Sequence, residues 1–333
     1  MSLSSGTTKK INEAIATFMN GNPVVGLILS VQQAGKTVFE NSYGVATKGG
    51  SAPTPATSFQ IDSLTKAFTA IGVLHLWETG AIAKLTDTYG TYVPNLPNKA
   101  WGGIQIDQML AMCSGIPDIS SGTETYQEVL HRAAQMKLLF PPGAQYLYSD
   151  PTYMLLGVLI AAITKTKFGE WIVPNVLTPL SMPSTGFIDE SSANDPATPY
   201  LKGQAVAWRN PLCGFSAGGF TSTMSDLESF AIGLANGAIL KSSTYELMWT
   251  NFTLNDGSAD QFGYGWNVVT SSGDTLKYAA KDGGGWGWAS DVAYAPASSG
   301  SLTGGTSVCL MMTGGAKAYS LGPDLLEIVL DAG

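Results

Sequence analysis

The chain has 333 residues, of which 44% are hydrophobic and 13% are charged, so it can bury a large core in one domain or two joined lobes. Its net charge of −8 argues against nucleic acid as a partner, because phosphate binding requires a basic surface. No apolar run is long enough to span a bilayer, so no membrane association is expected.

The first ten residues lack the apolar segment of a secretory signal. This favours a cytoplasmic protein, although a chain that begins after a removed signal would look the same. The cysteines, Cys113, Cys213 and Cys309, are widely spaced, so neither a disulfide framework nor a zinc site is predicted. No dinucleotide fingerprint or phosphate-binding loop is present, so no cofactor and no metal are expected.

Strand patterns lie near both ends of the chain, with helical patterns between them. Strands are predicted at residues 24–33, 36–44, 263–270, 276–281, 288–295 and 306–313, the first two joined by a turn at Ala34 and Gly35. Helices are predicted at residues 8–20, 63–77, 126–137, 152–164, 223–236 and 323–330.

This order predicts an α/β (α+β) fold in which one antiparallel sheet, built from both termini, is flanked by helices and carries an inserted, mostly helical lobe. We place the sheet lobe at residues 1–82 and 205–333 and the helical lobe at residues 83–204. The functional site is expected between the two lobes.

A Ser-x-x-Lys motif opens the second predicted helix. Ser63 and Lys66 are one helical turn apart, so their side chains are neighbours. A neutral lysine can accept the serine's proton if burial or nearby cations lower its pKa. Alone, the motif also fits a helix-capping serine and a solvated lysine. A Ser-His-Asp triad is disfavoured, because the only histidines, His75 and His131, are poorly placed.

Companion motifs follow in a fixed order. The chain resembles the serine β-lactamase-like superfamily, particularly its class C β-lactamase, family VIII esterase and D-amino-acid peptidase branch, and it is also similar to lovastatin-type acyltransferases. The resemblance covers residues 59–315. Met112 and Cys113 replace the usual His and Thr in one passage. The matching passages are residues 59–70, 80–94, 110–118, 142–150, 217–226 and 281–284.

The resemblance implies a set of catalytic roles. Ser63 would attack a carbonyl and Lys66 would take its proton. Tyr148 would share that proton and return it to the leaving group, as a phenolate stabilised by Lys66 and Lys281. The backbone N–H groups of Ser63 and Gly284 would form the oxyanion hole. The plain alternative for Tyr148 is a packed aromatic residue.

Two departures from the family pattern concern the substrate. Asp150 stands where the family usually has Asn, and Asp282 stands where Thr often holds a substrate carboxylate. A carboxylate repels an anionic substrate, so both changes favour neutral or cationic ones. With Lys281 and Gly283 they are the predicted substrate-binding residues, unless Asp282 turns outward and only caps a loop.

Aromatic residues beside the motifs are predicted to bind the acyl group. These are Phe215, Trp286 and Trp288, with Tyr146 and Trp101 as further candidates near the motifs. Burial in the core is the default reading of an aromatic residue, but at least one of the two tryptophans is expected to line an apolar pocket.

The sequence therefore predicts a serine hydrolase that works through an acyl-enzyme on small neutral esters or amides. An acyltransferase or transesterase of biosynthesis is an alternative, as is a β-lactamase or D-aminopeptidase. A non-catalytic binding protein on the same fold is disfavoured, because Ser63, Lys66 and Tyr148 are all present.

Overall fold

The computed structural model describes residues 2–119, 124–271, 275–297, 304–314 and 320–332. Its strands are β1 (Gly26–Gln33), β2 (Lys36–Gly44), β3 (Phe59–Gln60), β4 (Tyr200–Leu201), β5 (Gln204–Ala205), β6 (Thr221–Ser222), β7 (Asn267–Thr270), β8 (Leu276–Gly285), β9 (Trp288–Ala295) and β10 (Thr306–Thr313). Its helices are α1 (Ser5–Gly21), α2 (Thr65–Glu78), α3 (Tyr89–Tyr92), α4 (Ile106–Leu110), α5 (Tyr126–Ala133), α6 (Asp150–Thr164), α7 (Phe168–Ile172), α8 (Pro211–Gly214), α9 (Met224–Asn236), α10 (Ser242–Met248) and α11 (Leu321–Leu330).

The main sheet combines strands from both ends of the chain, as predicted. Its order is β2-β1-β10-β9-β8-β7, and all neighbouring strands are antiparallel. β1 and β2 form the predicted hairpin, in which both Ala34 and Gly35 have positive φ, at 49° and 72°. That conformation is typical of two-residue hairpin turns, since it matches the twist of the strands.

Helices cover both faces of this sheet. On one face α1 and α11 pack their apolar side chains, among them Ile11 and Leu325, onto residues such as Leu29. On the other face lies the larger core, which contains α2 and α9 and receives Ile28 from the same strand. Because β1 is covered on both sides, nearly all its residues are buried, including the polar Ser30 and Gln32.

The middle of the described chain is mostly helical, and its strands are two-residue pairs, β3 with β6 and β4 with β5. α6 is apolar all round because it is buried in the larger core. The mixed α/β fold with a sheet from both termini is confirmed; the lobe boundaries at residues 82 and 205 stay a prediction.

Several predicted elements have different bounds, and the helix predicted at residues 126–137 ends at Ala133. The strand predicted at residues 263–270 begins only at Asn267, because Gly265 adopts a left-handed φ of 86°. The strand predicted to end at Lys281 continues to Gly285, because residues 282–285 pair with β9 despite the low strand propensity of glycine. The helix predicted from Ser63 begins at Thr65, after a 3₁₀ turn at Asp62–Leu64.

Candidate active site

Ser63 lies in the 3₁₀ turn between β3 and α2. The turn is tied to its surroundings by backbone bonds: the Ile61 N–H donates to the Phe220 carbonyl at 2.9 Å, and the Leu64 N–H donates to the Ile61 carbonyl at 3.1 Å. Lys66 is in the first turn of α2 and is fully buried. The solvated lysine of the alternative reading is therefore absent.

Tyr148 comes just before α6. The Ser149 hydroxyl caps this helix by accepting the N–H of Thr152 at 3.3 Å, and Asp150 and Pro151 open its first turn. These are favourable residues for a helix start. The cap fixes the chain where Tyr148 and Asp150 both point toward α2.

Four oxygen atoms surround the Lys66 Nζ. It lies 2.9 Å from the Ser63 hydroxyl and 2.6 Å from the Tyr148 hydroxyl, and these two hydroxyls also contact each other. It also lies 2.6 Å from an Asp150 carboxylate oxygen and 2.6 Å from the Ala217 carbonyl. The predicted catalytic residues Ser63, Lys66 and Tyr148 are thus brought into one hydrogen-bonded group.

The surroundings of Lys66 favour its neutral form more than the surroundings of an exposed lysine would. Burial lowers the pKa of Lys66, Asp150 opposes this effect, and the charge of Lys281 adds to the lowering. A neutral amine has two N–H donors and one lone pair. Asp150 and the Ala217 carbonyl can only accept, so they take both donors and leave the lone pair for the hydroxyls. The geometry therefore suits a lysine base.

The surroundings of Tyr148 do not favour the expected phenolate. Burial raises the pKa of Tyr148 well above its ordinary value, and the charge of Asp150 raises it further, against a smaller lowering by the hydrogen bond with Ser63. Removing the phenol from water disfavours its charged form. Tyr148 stays protonated and can relay a proton between Lys66 and a leaving group.

A cleft of about 430 Å³ opens above this group. Its walls are formed by Ser63, Tyr146, Tyr148, Phe262, Asn267, Lys281, Asp282 and Gly284. Six of these residues were named from the sequence, and one of them, Asp282, lines the cleft. Lys281 contacts it, with 3.5 Å between the ammonium and the carboxylate.

The glycines of β8 have different positions. A Cβ at Gly283 would overlap the Ile61 carbonyl oxygen and lie 2.8 Å from the Leu64 nitrogen, so Gly283 packs under the nucleophile turn and does not face the substrate. A Cβ at Gly284 would have only the Trp288 carbonyl within 4 Å. Gly284 thus borders the open cleft beside Ser63, where the oxyanion hole is predicted.

Asp150 is not on the cleft wall. Its carboxylate lies 2.6 Å from the Lys66 Nζ, and its side chain is 20% exposed. Its carboxylate can therefore act on the base more directly than on the substrate.

The three predicted acyl-pocket aromatics lie outside the cleft lining. Phe215 stacks on Tyr126, with ring centroids 3.9 Å apart. Trp288 is fully buried and packs edge-on against Phe59 and Trp208. Trp286 donates its indole N–H to the Ala207 carbonyl at 3.1 Å. The default core reading holds for Phe215 and Trp288.

The aromatic lining of the cleft comes from residues other than Phe215, Trp286 and Trp288. Tyr146 and Phe262 form its aromatic wall, with ring centroids 5.3 Å apart, and Asn267 adds an amide. Tyr146 precedes Tyr148 by two residues in a matching passage, which is a usable signal. Phe262 and Asn267 lie in no motif, so only the folded chain places them here.

No group of three or more potential metal ligands occurs among the described residues. Within the same ranges, no helix has the length and apolar character required to cross a membrane.

Comparison with known proteins decides the family. The family profile described as Beta-lactamase matches residues 11–317. The chain belongs to the Beta-lactamase family. This confirms the resemblance to the serine β-lactamase-like superfamily, whose order of motifs runs through the same residues.

Among curated relatives of the Beta-lactamase family, Protein flp of Staphylococcus aureus is 28% identical over 267 residues, which are 76% of this chain and 50% of that protein. Putative beta-lactamase-like 1 of Homo sapiens is 25% identical, covering 82% of this chain and 61% of that protein. The chain thus spans about half the length of the first of these relatives. The octameric penicillin-binding protein homologue from Pyrococcus abyssi has the same fold, with a TM-score of 0.83, 22% identity, and coverage of 97% of this chain and 77% of that one.

Proposed function

We propose that this chain is a serine hydrolase that acts through an acyl-enzyme on small neutral esters or amides, most simply as a carboxylesterase. The arrangement around the Lys66 Nζ carries the proposal. It combines a nucleophile at 2.9 Å, a proton relay at 2.6 Å, and two acceptors that occupy the donors of a neutral amine.

In the acylation step, the Ser63 oxygen attacks the substrate carbonyl carbon while its proton moves to the Lys66 Nζ. The carbonyl oxygen becomes an oxyanion, which the N–H groups of Ser63 and Gly284 stabilise. The bond to the leaving group then breaks. Lys66 gives its proton to Tyr148 as Tyr148 protonates the departing oxygen or nitrogen, which leaves Lys66 neutral and Ser63 acylated.

In the second step, water attacks the acyl carbon. Its proton passes through Tyr148 to Lys66, the bond to the Ser63 oxygen breaks, and Lys66 returns the proton to Ser63. The products are a carboxylic acid and the free enzyme. An alcohol in place of water would give a new ester by the same steps, so added alcohols distinguish transfer from hydrolysis.

The charges of the cleft favour substrates without a negative charge. Asp282 lines the cleft, and its carboxylate lies 3.5 Å from the Lys281 ammonium. Lys281 therefore offsets the charge of Asp282 and is less available to bind a substrate carboxylate. An anionic group placed beside Asp282 would be repelled. Neutral esters are therefore the proposed substrates, with cationic ones tolerated.

The Ser63→Ala variant tests the proposal. It should remain folded by circular dichroism and lose all turnover of 4-nitrophenyl butyrate, because it lacks the hydroxyl that lies 2.9 Å from the Lys66 Nζ. A Ser290→Ala variant, which removes a buried hydroxyl bonded to the Ile61 carbonyl, is the control for hydroxyl loss near the turn. Hydrolysis that persists in folded Ser63→Ala protein would overturn the assignment.

A further inference from the structure

The residue before the nucleophile has a strained backbone. Asp62 has a φ of 44°, in the left-handed region that a residue with a side chain rarely adopts. Such conformations persist only where the surroundings hold them. Because the Asp62 carbonyl and the Ser63 N–H share one planar peptide, the backbone angles of Asp62 set the direction of the Ser63 donor.

Residues 207–209 are in contact with this strained turn. The Arg209 guanidinium approaches an Asp62 carboxylate oxygen at 3.4 Å, and the Arg209 carbonyl accepts the Gln60 amide at 2.5 Å. The side chains of Asp62 and Arg209 are only 3% and 14% exposed. Two bonds from this segment thus reach the strand and turn that present Ser63.

The same segment also holds the end of β8. The Ala207 carbonyl accepts the indole N–H of Trp286 at 3.1 Å. Trp286 follows Gly284 by two residues and itself has a left-handed φ of 49°. Residues 207–209 therefore join the two backbone stretches that are proposed to supply the oxyanion donors.

Stability alone does not explain the Asp62–Arg209 pair. The second Asp62 carboxylate oxygen, the Arg209 Nε and the Gln60 side-chain Oε1 are buried without a hydrogen-bond partner in the described part of the chain. Buried polar atoms without partners are costly, and a buried ion pair is a weak source of stability. Burial also raises the pKa of Asp62 to about 7, against the opposing charge of Arg209.

We propose that Asp62 and Arg209 are positioning residues, which fix the amide donors of Ser63 and Gly284 relative to each other through residues 207–209. The oxyanion hole is then already formed before substrate binds. This inference rests on the proposed hydrolase function. It assigns to the pair a role in stabilising the transition state and none in binding the ground state.

The test compares Asp62→Asn, Arg209→Lys and Arg209→Met with the wild type. Asn tolerates a left-handed backbone, so Asp62→Asn removes the charge with little change in shape. We expect kcat for 4-nitrophenyl butyrate to fall about 10- to 100-fold in Asp62→Asn and Arg209→Met, somewhat less than deleting an oxyanion donor outright, with KM within about twofold. Arg209→Lys should retain more activity than Arg209→Met.

Two further readouts separate positioning from a structural role. The affinity for phenylboronic acid, whose tetrahedral adduct places an oxygen in the oxyanion hole, should weaken in parallel with kcat. The Tm of Asp62→Asn at pH 8 should equal or exceed that of the wild type. A pKa raised from 3.8 means that the ionised carboxylate costs stability, and that stability is lost as pH rises from about 4 to about 7.

The matched control is Lys277→Met, which breaks an exposed ion pair with Glu327. It should leave kcat and boronate affinity unchanged. The proposal is overturned if kcat is unchanged in both Asp62→Asn and Arg209→Met, if only KM changes, or if kcat falls only in step with the folded fraction. Ser63→Ala is run alongside: retained activity there refutes the hydrolase assignment itself, whereas its loss with normal Asp62 and Arg209 variants refutes only the positioning role.

Discussion

The charge state of Lys66 is set by opposing neighbours. Burial and Lys281 lower its pKa, whereas Asp150 raises it. Since only the neutral amine can act as the base, activity should rise with pH as Lys66 loses its proton. The sequence comparison assigned Asp150 to the substrate, but the structure places its carboxylate 2.6 Å from the Lys66 Nζ.

Asp150→Asn should therefore shift the pH profile. Without the carboxylate the pKa of Lys66 falls further, so the acidic limb of kcat/KM against pH should move to lower pH. The measurement is a pH–rate profile with 4-nitrophenyl butyrate. Glu170→Gln, which removes an exposed carboxylate paired with Lys167, is the control and should not move the limb. A limb that stays in place or moves upward contradicts Lys66 as the base.

Tyr148→Phe should discriminate between leaving groups. Because burial keeps the phenol protonated, its role is to deliver a proton to the departing atom. Alkyl esters need that proton, and their hydrolysis should fall by about 10²–10⁴, the usual contribution of general acid–base catalysis. Nitrophenyl esters leave without protonation and should lose less. Tyr146→Phe serves as the control for hydroxyl loss in the cleft, and equal losses for both ester classes would argue against a relay.

At the level of elements, β8 fits closely beneath the nucleophile turn. Gly283→Ala would force a methyl group against the Ile61 carbonyl and the Leu64 nitrogen, which are backbone atoms and cannot rotate away. We expect a loss of about 1–3 kcal/mol in the free energy of unfolding, as for other overpacked sites. Gly284→Ala adds the same methyl group to open space and should leave Tm unchanged. Equal Tm values for the two variants, measured by calorimetry, would contradict this packing.

Much of this element arrangement could be predicted, because period-2 and helical patterns depend on which face is buried. The Ala34–Gly35 hairpin and most strands and helices follow from such patterns. The extension of β8 through Gly283 could not be predicted, because its cause is pairing with β9 and contact with a turn more than 200 residues away in the chain. Glycine's local propensity indicates a loop instead.

The residues of the candidate site likewise divide into those that could be predicted from the sequence and those that could not. Ser63 and Lys66 were predicted from the Ser-x-x-Lys spacing, and Tyr148 from the resemblance to the family. Of the aromatic lining, Tyr146 was only a further candidate and Phe262 was not predicted, because an apolar ring carries the same sequence signal in a core as in a pocket. Trp288 is buried between other rings, whereas Phe262, which no motif marks, lines the cleft.

At the level of the whole molecule, the net charge of the chain and the charge of Asp282 in the cleft both disfavour anionic substrates. The chain carries −8, and Asp282 faces the cleft. Two unit charges ~4 Å apart interact by about 4 kcal/mol at an effective dielectric of about 20. Lys281 offsets part of this repulsion. A remaining ~1.4 kcal/mol would still disfavour an anionic substrate tenfold.

Asp282→Asn should therefore raise kcat/KM for the anionic 4-nitrophenyl hemiglutarate about tenfold relative to kcat/KM for the neutral 4-nitrophenyl pentanoate. In the wild type, added salt should reduce the difference between the kcat/KM values for these two esters. Asp150→Asn should change this ratio less, because Asp150 is not among the residues that line the cleft and its carboxylate lies 2.6 Å from the Lys66 Nζ. Penicillins and nitrocefin should be poor substrates of the wild type. An unchanged ratio in Asp282→Asn, or efficient nitrocefin hydrolysis, would show that Asp282 does not govern selectivity.

The acyl-enzyme itself is the most direct test of the account. Wild-type protein is mixed with excess 4-nitrophenyl butyrate, quenched in acid within the first turnovers, and analysed by intact and peptide mass spectrometry. We expect one butyryl group in place of one hydrogen, on the peptide that contains Ser63, and none in Ser63→Ala. Turnover without any adduct, or an adduct on a residue other than Ser63, would contradict the central claim.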